Sequence, residues 1–207
     1  MKSASSARTR PRAARLTPEA RRAQLLESAT RVFGRRGVEA ARHAEVASEA
    51  GVAVSTTFTY FPTREDLVSA VLDSVERLFV GLAESVHAPA RPAPEVLMAH
   101  VSAFANVVND RPDETRVWLH WSSAVEGDHW PRYRALEDRI TSVLARTIAR
   151  GQREGSINVE LAPEEGARIM IGAAYLIAQM KLSGRPEDEV APFLDTLVRV
   201  VAGGMAS

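Results

Sequence analysis

The 207-residue chain predicts an all-α fold, a small N-terminal helix-turn-helix domain followed by a larger helical body. Three observations carry that prediction. Apolar residues recur at three- and four-residue spacing along almost the whole chain, and no segment alternates with period two over a useful length. The stretch His43–Leu67, HAEVASEAGVAVSTTFTYFPTREDL, has small residues, a glycine and a proline where two short helices meeting at a tight turn need them. Charge is also unevenly placed: the whole chain balances 26 basic against 26 acidic residues, yet residues 1–61 hold 11 basic and 5 acidic. A basic N-terminal part on an acidic body suits polyanion binding by the first part alone.

In chain order, residues 1–15 (MKSASSARTRPRAAR) lack apolar periodicity and read as a disordered basic arm, with Arg8, Arg10, Arg12 and Arg15 available to a minor groove. Thr17-Pro18-Glu19 is a helix start: a cap, a proline in the first turn, then an acid on the positive helix end. Leu25, Leu26, Ala29, Val32 and Phe33 stripe that helix, and Gly37 stops it. Ala47 and Ala50 let the next two helices cross closely, Gly51 takes the left-handed turn, and Val52 plugs the corner. A short helix follows over about Val54–Phe61, ended by Pro62, with Thr63 capping a long helix over about Arg64–Glu84. After the proline-rich 88–94 break, five more helices are expected, near 95–109, 113–125, 131–153, 163–183 and 187–202. The domains are therefore an arm (1–15), a helix-turn-helix unit (16–63) and a helical body (64–207).

Several classes of function are disfavoured. Zero cysteines exclude disulfides, thiolate metal sites and cysteine nucleophiles. No apolar run approaches the ~20 residues of a membrane span, and the N-terminus lacks a hydrophobic signal core, so the expected compartment is the cytoplasm. The five histidines share no zinc-type spacing; His120 with Asp128 and His129 is the least poor metal candidate. There is no phosphate loop and no serine nucleophile elbow, so neither an enzyme nor a cofactor is expected.

On a helical wheel of ~100° per residue, Val54, Phe58 and Phe61 fall together toward the core. Ser55, Thr56, Thr59 and Tyr60 fall opposite, with Thr57 on the flank. Short hydroxyls at Ser55, Thr56 and Thr59 suit base edges and thymine methyls, and Tyr60 suits a phosphate. Arg64 and the free N–H groups of the long helix make a phosphate site, and His43 is a second candidate on the flanking strand. Arg21, Arg22, Arg35, Arg36 and Arg42 are either contacts or field.

At these residues the chain resembles the TetR family of transcriptional regulators. The resemblance rests on a first helix ending VFGRRG, the AGV turn, and FTYFPTREDLV. More narrowly it is similar to the HapR/SmcR-type quorum-sensing master regulators, through RLTPEARRAQLLESATRVFGRRG, HAEVASEA…FTYFPTREDLV and RVWLHWSSAVEGDHWPRY. The resemblance implies a homodimer on a near-palindromic DNA operator, a ligand cavity in the body, and a four-helix dimer interface from the last two helices. Four positions depart from the subgroup: Thr59 replaces an asparagine, Ala53 replaces a serine cap, and Glu137 and Thr141 replace pocket amides.

In the body the resemblance implies a cavity lined by Phe79, Phe104, Val108 and Trp118, with Glu137 and Thr141 one helical turn apart. Glu137 either faces that cavity or sits solvated at its rim. The implied effector is a small apolar or amphipathic molecule. Ile169, Ala173 and Ile177, with Phe193 and Leu197, are the expected dimer contacts on the two closing amphipathic helices. The alternatives are a local metabolite- or drug-responsive repressor of the same fold and, more remotely, a ligand-independent architectural DNA-binding protein. The acidic body argues against the last.

Overall fold

The computed structural model describes residues 16–88 and 91–203. Among the described residues there are nine helices and no strand: α1 (Pro18–Arg36), α2 (His43–Ala50), α3 (Val54–Tyr60), α4 (Arg64–His87), α5 (Ala93–Asp110), α6 (Pro112–Ser123), α7 (Trp130–Arg153), α8 (Pro163–Leu182) and α9 (Glu187–Ala202). The basic arm, with Arg10, Arg12 and Arg15, lies outside the described residues. No described helix is long and apolar enough to cross a membrane.

Local chemistry sets the element ends. Thr17 Oγ1 accepts from the Ala20 N–H at 3.2 Å, and Gly37, at φ 81°, closes α1 with its N–H on the Phe33 carbonyl. Gly51 adopts φ 66°, ψ 36°, where a Cβ would be strained. There the Val52 N–H turns back to the Ala47 carbonyl at 3.0 Å. At α4 a reciprocal cap forms: the Thr63 N–H donates to Asp66 Oδ2 at 2.9 Å and the Asp66 N–H to Thr63 Oγ1 at 3.0 Å. The Thr63 hydroxyl, which donates to Asp66 Oδ2 at 2.7 Å, and the Thr63 N–H together hold the Asp66 carboxyl below its usual range.

Leu25, Phe33, Val46, Phe61 and Leu67 are buried where α1–α3 meet the start of α4. Further along α4, Val75 and Phe79 join a core with Phe104, Trp118, Leu144 and Ile177 from α5–α8. Two features join the α1–α3 end to the body. α1 and α6 cross so closely at Gly34 that an added Cβ would lie 3.0 Å from the Asp113 carbonyl oxygen. Arg132 of α7 donates to Glu76 (2.7 Å), Asp73 and Ser69 (3.2 Å), all on α4.

Candidate nucleic-acid interface and effector cavity

The turn delivers α3 with a different face outward from the one the wheel predicts. Val54 and Phe58 are 42% and 47% exposed, whereas Thr57 is fully buried and Phe61 nearly so. Thr57 tolerates burial because its hydroxyl donates to the Val54 carbonyl at 2.6 Å, leaving a methyl to pack. The helical period is right; the phase is set by Thr57 and Phe61 rather than by the more apolar Phe58. Ser55 and Thr59 remain exposed, and Thr56 and Tyr60 are half-buried. The Thr59 hydroxyl donates to the Ser55 carbonyl at 3.0 Å, which leaves its lone pairs outward.

His43 is not on the surface. Its ring is buried, stacked on Phe58 at 4.2 Å between centroids and 5° between planes, with Nε2 2.8 Å from the Phe61 carbonyl oxygen. A carbonyl only accepts, so Nε2 carries the proton and the ring pins α2 to the end of α3. It does not reach toward a flanking strand.

Arg64 differs from its expected use too. One terminal nitrogen donates to the carbonyls of Val38 at 2.7 Å and Glu39 at 2.9 Å, tying the α1–α2 turn to α4. The first turn of α4 already holds the Asp66 carboxylate, so the anion site expected there is filled by the chain itself. Arg31 and Arg35 pair with Glu49, and Arg36 with Glu45. The Arg22 guanidinium lies 5.1 Å over the Phe61 ring. Arg22 and Arg42 have no carboxylate partner among the described residues.

In the body, Phe79, Phe104, Trp118 and Glu137 line one apolar cavity of about 40 Å³ between α4, α5, α6, α7 and α8. That is room for a water or two. Trp118 is the hub: Phe79 and Phe104 pack against it at 5.4 and 5.7 Å, and Tyr175 stacks on it at 4.5 Å. Val108 and Thr141 do not line this cavity; both are buried in packing elsewhere on α5 and α7. Trp121 is core, its Nε1 donating to the His129 carbonyl at 2.9 Å, and Trp130 stacks on Tyr133.

The sequence reading misses four polar groups here. Tyr133 and Tyr175 share a hydrogen bond between their hydroxyls, and burial raises both above the usual phenol range. His100 lines the cavity, and its Nδ1 lies 3.2 Å from His87 Nε2, while His87 Nδ1 is 2.7 Å from Thr147 Oγ1. Burial holds His100 down to about 3 and His87 to about 4, the latter helped by Arg146, Arg150 and Arg91. The two histidines flank the proline-rich break, so no periodicity links them. His120 and His129, the candidate metal pair, lie apart in use: His120 Nε2 is 3.2 Å from the Gly34 carbonyl and His129 Nε2 is 3.9 Å from Glu65.

On α8, Ile169 and Leu176 are exposed, with Gly172 exposed and Ala173 half-buried beside them. Ile177 is instead 1% exposed and lines the cavity; Leu197 is buried inside the chain as well. Adjacent residues on a helix point ~100° apart, so Leu176 and Ile177 serve different faces. Phe193 is half-buried and Val200 exposed on α9.

The model for "Bacterial regulatory proteins, tetR family" matches residues 25–71, and that for "Tetracyclin repressor-like, C-terminal domain" matches residues 90–179. The HTH-type transcriptional regulator LuxR of Vibrio harveyi is 33% identical over 194 residues, covering 91% of this chain and 93% of that protein. Among solved structures, a TetR-like transcriptional regulator from Rhodococcus sp. RHA1 superposes with a TM-score of 0.76 at 21% identity, covering 91% of this chain and 100% of the other. AibR, solved with isovaleryl coenzyme A and operator DNA, gives 0.74 at 22% identity, covering 88% and 98%. Both structures are similar to this chain in fold.

Proposed function

Because the chain belongs to the tetR family of bacterial regulatory proteins, which are DNA-binding transcriptional regulators rather than enzymes, we propose that it acts as a cytoplasmic homodimer on a near-palindromic operator. The observation that carries this reading is the α2–Gly51–α3 corner, which leaves Ser55 and Thr59 outward on a helix held by His43 and Phe61. Each protomer lays α3 in a major groove, two half-sites one helical turn apart or a multiple of it. Ser55 and Thr59, with Thr56 at the edge, read base edges; Val54 and Phe58 beside them suit thymine methyls. Tyr60, Arg22, Arg42 and the basic arm supply phosphate or groove contacts, so affinity falls steeply with salt.

The exposed face of α8 around Ile169 and Leu176, with Phe193 and Val200 of α9, is the proposed dimer surface. An effector entering beside Trp118 moves α4 and respaces the two α3 helices. Support for that coupling is the Arg132 tie from α7 to α4 and the α1–α6 crossing at Gly34. It requires an effector that binds one spacing more tightly than the other. AibR, of the same fold, was solved with both a coenzyme A ester and operator DNA. Similarity to LuxR over nearly the full length supports a quorum-sensing type of global regulator over a local metabolite- or drug-responsive repressor. A second reading, regulation by abundance without an effector, is favoured by the small free volume of the cavity.

The test is selection of binding sites from random duplex DNA by the full chain, with a salt titration on the winning site. Enrichment of a two-fold-symmetric site is expected. Weak binding with no enriched site, equal on all duplexes, refutes the operator reading.

A further inference from the structure

The body carries a basic groove that DNA reading does not use. Between the C-terminal end of α4 and the last turns of α7 lies an open groove of about 350 Å³, lined by His87, Thr147, Arg146, Arg150 and Arg153, with Glu84 at its edge. Glu84 is engaged by Arg139 at 2.6 Å. Arg146 donates to Ser142, and Arg150 has only Glu154, at 3.8 Å. Among the described residues neither Arg146 nor Arg153 has a carboxylate within ion-pair distance. Arg91 does not line the groove, but its charge reaches His87.

Three guanidinia with little counter-charge, gathered in one groove on the acidic part of the chain, make a local positive field that attracts an anion. The wall of this groove is the other half of the observation. His87 lines the groove, His100 lines the apolar cavity, and the 3.2 Å contact between their rings closes the gap between the two spaces. Both rings are held neutral, so they part without exposing or burying a charge. Beyond them the cavity wall is mainly apolar, with Leu144, Met170, Ala174 and Ile177 around Trp118. Glu137 and Tyr133 are its polar members, and the acid favours keeping an anionic head outside in the groove.

We propose that groove and cavity form one bipartite site for an anionic amphiphile, its carboxylate or phosphate head held by Arg146, Arg150 and Arg153 and its apolar tail passing between His87 and His100 toward Trp118. The head docks on a preformed surface. The tail opens a cavity that is nearly closed without it, which gives the ligand the differential affinity a switch needs. This assignment rests on the effector-modulated reading of the body and names the effector's chemical class.

The experiment measures binding to the full chain by tryptophan fluorescence and equilibrium dialysis, with dodecanoate, dodecyl phosphate, dodecan-1-ol and inorganic phosphate, each below its aggregation limit. Dodecanoate or dodecyl phosphate is expected to bind, and the tighter of the two identifies the head chemistry. Arg146→Gln/Arg150→Gln is expected to weaken that binding at least tenfold and leave dodecan-1-ol unchanged. Ala174→Leu, which fills the tail side, is expected to weaken the amphiphile and leave inorganic phosphate unchanged. Thermal midpoints confirm that each variant folds. The assignment is overturned if no amphiphile binds, if dodecan-1-ol binds wild type as tightly as the anions, if the arginine variant binds the anions normally, or if Ala174→Leu has no effect. A protein that selects a symmetric DNA site yet ignores every amphiphile sinks this assignment alone and leaves the operator reading standing.

Discussion

Replacing His43 by Phe separates two incompatible uses of that ring. The sequence suggests a phosphate contact; the structure makes it a buried brace between α2 and α3, with Nε2 2.8 Å from the Phe61 carbonyl and the ring flat on Phe58. His43→Phe keeps an aromatic face for Phe58 and removes the donor, leaving a buried carbonyl unpaired. The cost of such a vacancy is roughly 1–3 kcal/mol. A loss of about 2 kcal/mol corresponds to a fall of about 4–8 °C in Tm for a chain of this size. His43→Ala also removes the stacked ring, worth about 0.5–1.5 kcal/mol more, before any cavity cost. The assay is urea unfolding at fixed protein concentration, paired with a salt titration of binding to a nonspecific duplex. A brace predicts lower stability with the salt slope unchanged. A phosphate contact predicts the reverse, unchanged stability and a slope smaller by about 0.9 per contact; that result would refute the scaffold assignment.

Three other expectations concern the body and its junction with the reading helices. Gly34→Ala sets a Cβ 3.0 Å from the Asp113 carbonyl oxygen, a backbone atom that cannot swing aside; overpacking of about 1–3 kcal/mol should respace α1 against α6 and weaken binding to the selected operator by fluorescence anisotropy. Unchanged affinity and Tm would show that the crossing is slack. His100 stays neutral down to about 3 when folded but takes up a proton near 6.5 when unfolded, so its contribution is whole above pH 6.5 and is lost as pH falls toward 3. At pH 5 that loss is about 2 kcal/mol at 1.36 kcal/mol per pH unit, and His100→Gln should lose correspondingly less between pH 7.5 and 5 in urea unfolding; equal losses would exclude His100 as the source. Leu176→Glu should convert a dimer to a folded monomer by sedimentation, whereas Ile177→Glu should unfold the chain by burying a charge. A dimer that survives Leu176→Glu would move the interface elsewhere.

Much of the machinery is legible without coordinates because it is local. Thr17, Gly37, Gly51, Pro62 and Thr63 act through hydrogen bonds and φ restrictions within a few residues, and the helix ends fall within about a turn of those they signal. The tryptophan-bearing segment likewise marks one wall of the cavity, since Trp118 sits at its centre.

What one sequence decides by itself is therefore which stretches are helical, where they stop, and that residues 1–61 carry a net positive charge on a net acidic remainder. Which face of each helix turns inward was decided by tertiary packing. A seven-residue helix such as α3 has too few apolar side chains to fix its own phase, and the His43 brace and the self-satisfied Thr57 hydroxyl rotate Phe58 outward. On α8 both faces are apolar, so only the neighbouring helices separate Ile177, inside, from Leu176, outside. The histidine wall and the basic groove depend on side chains brought together across 13 and 60 residues of chain. Pattern has a range of one or two helical turns; contact at that separation belongs to the folded packing alone.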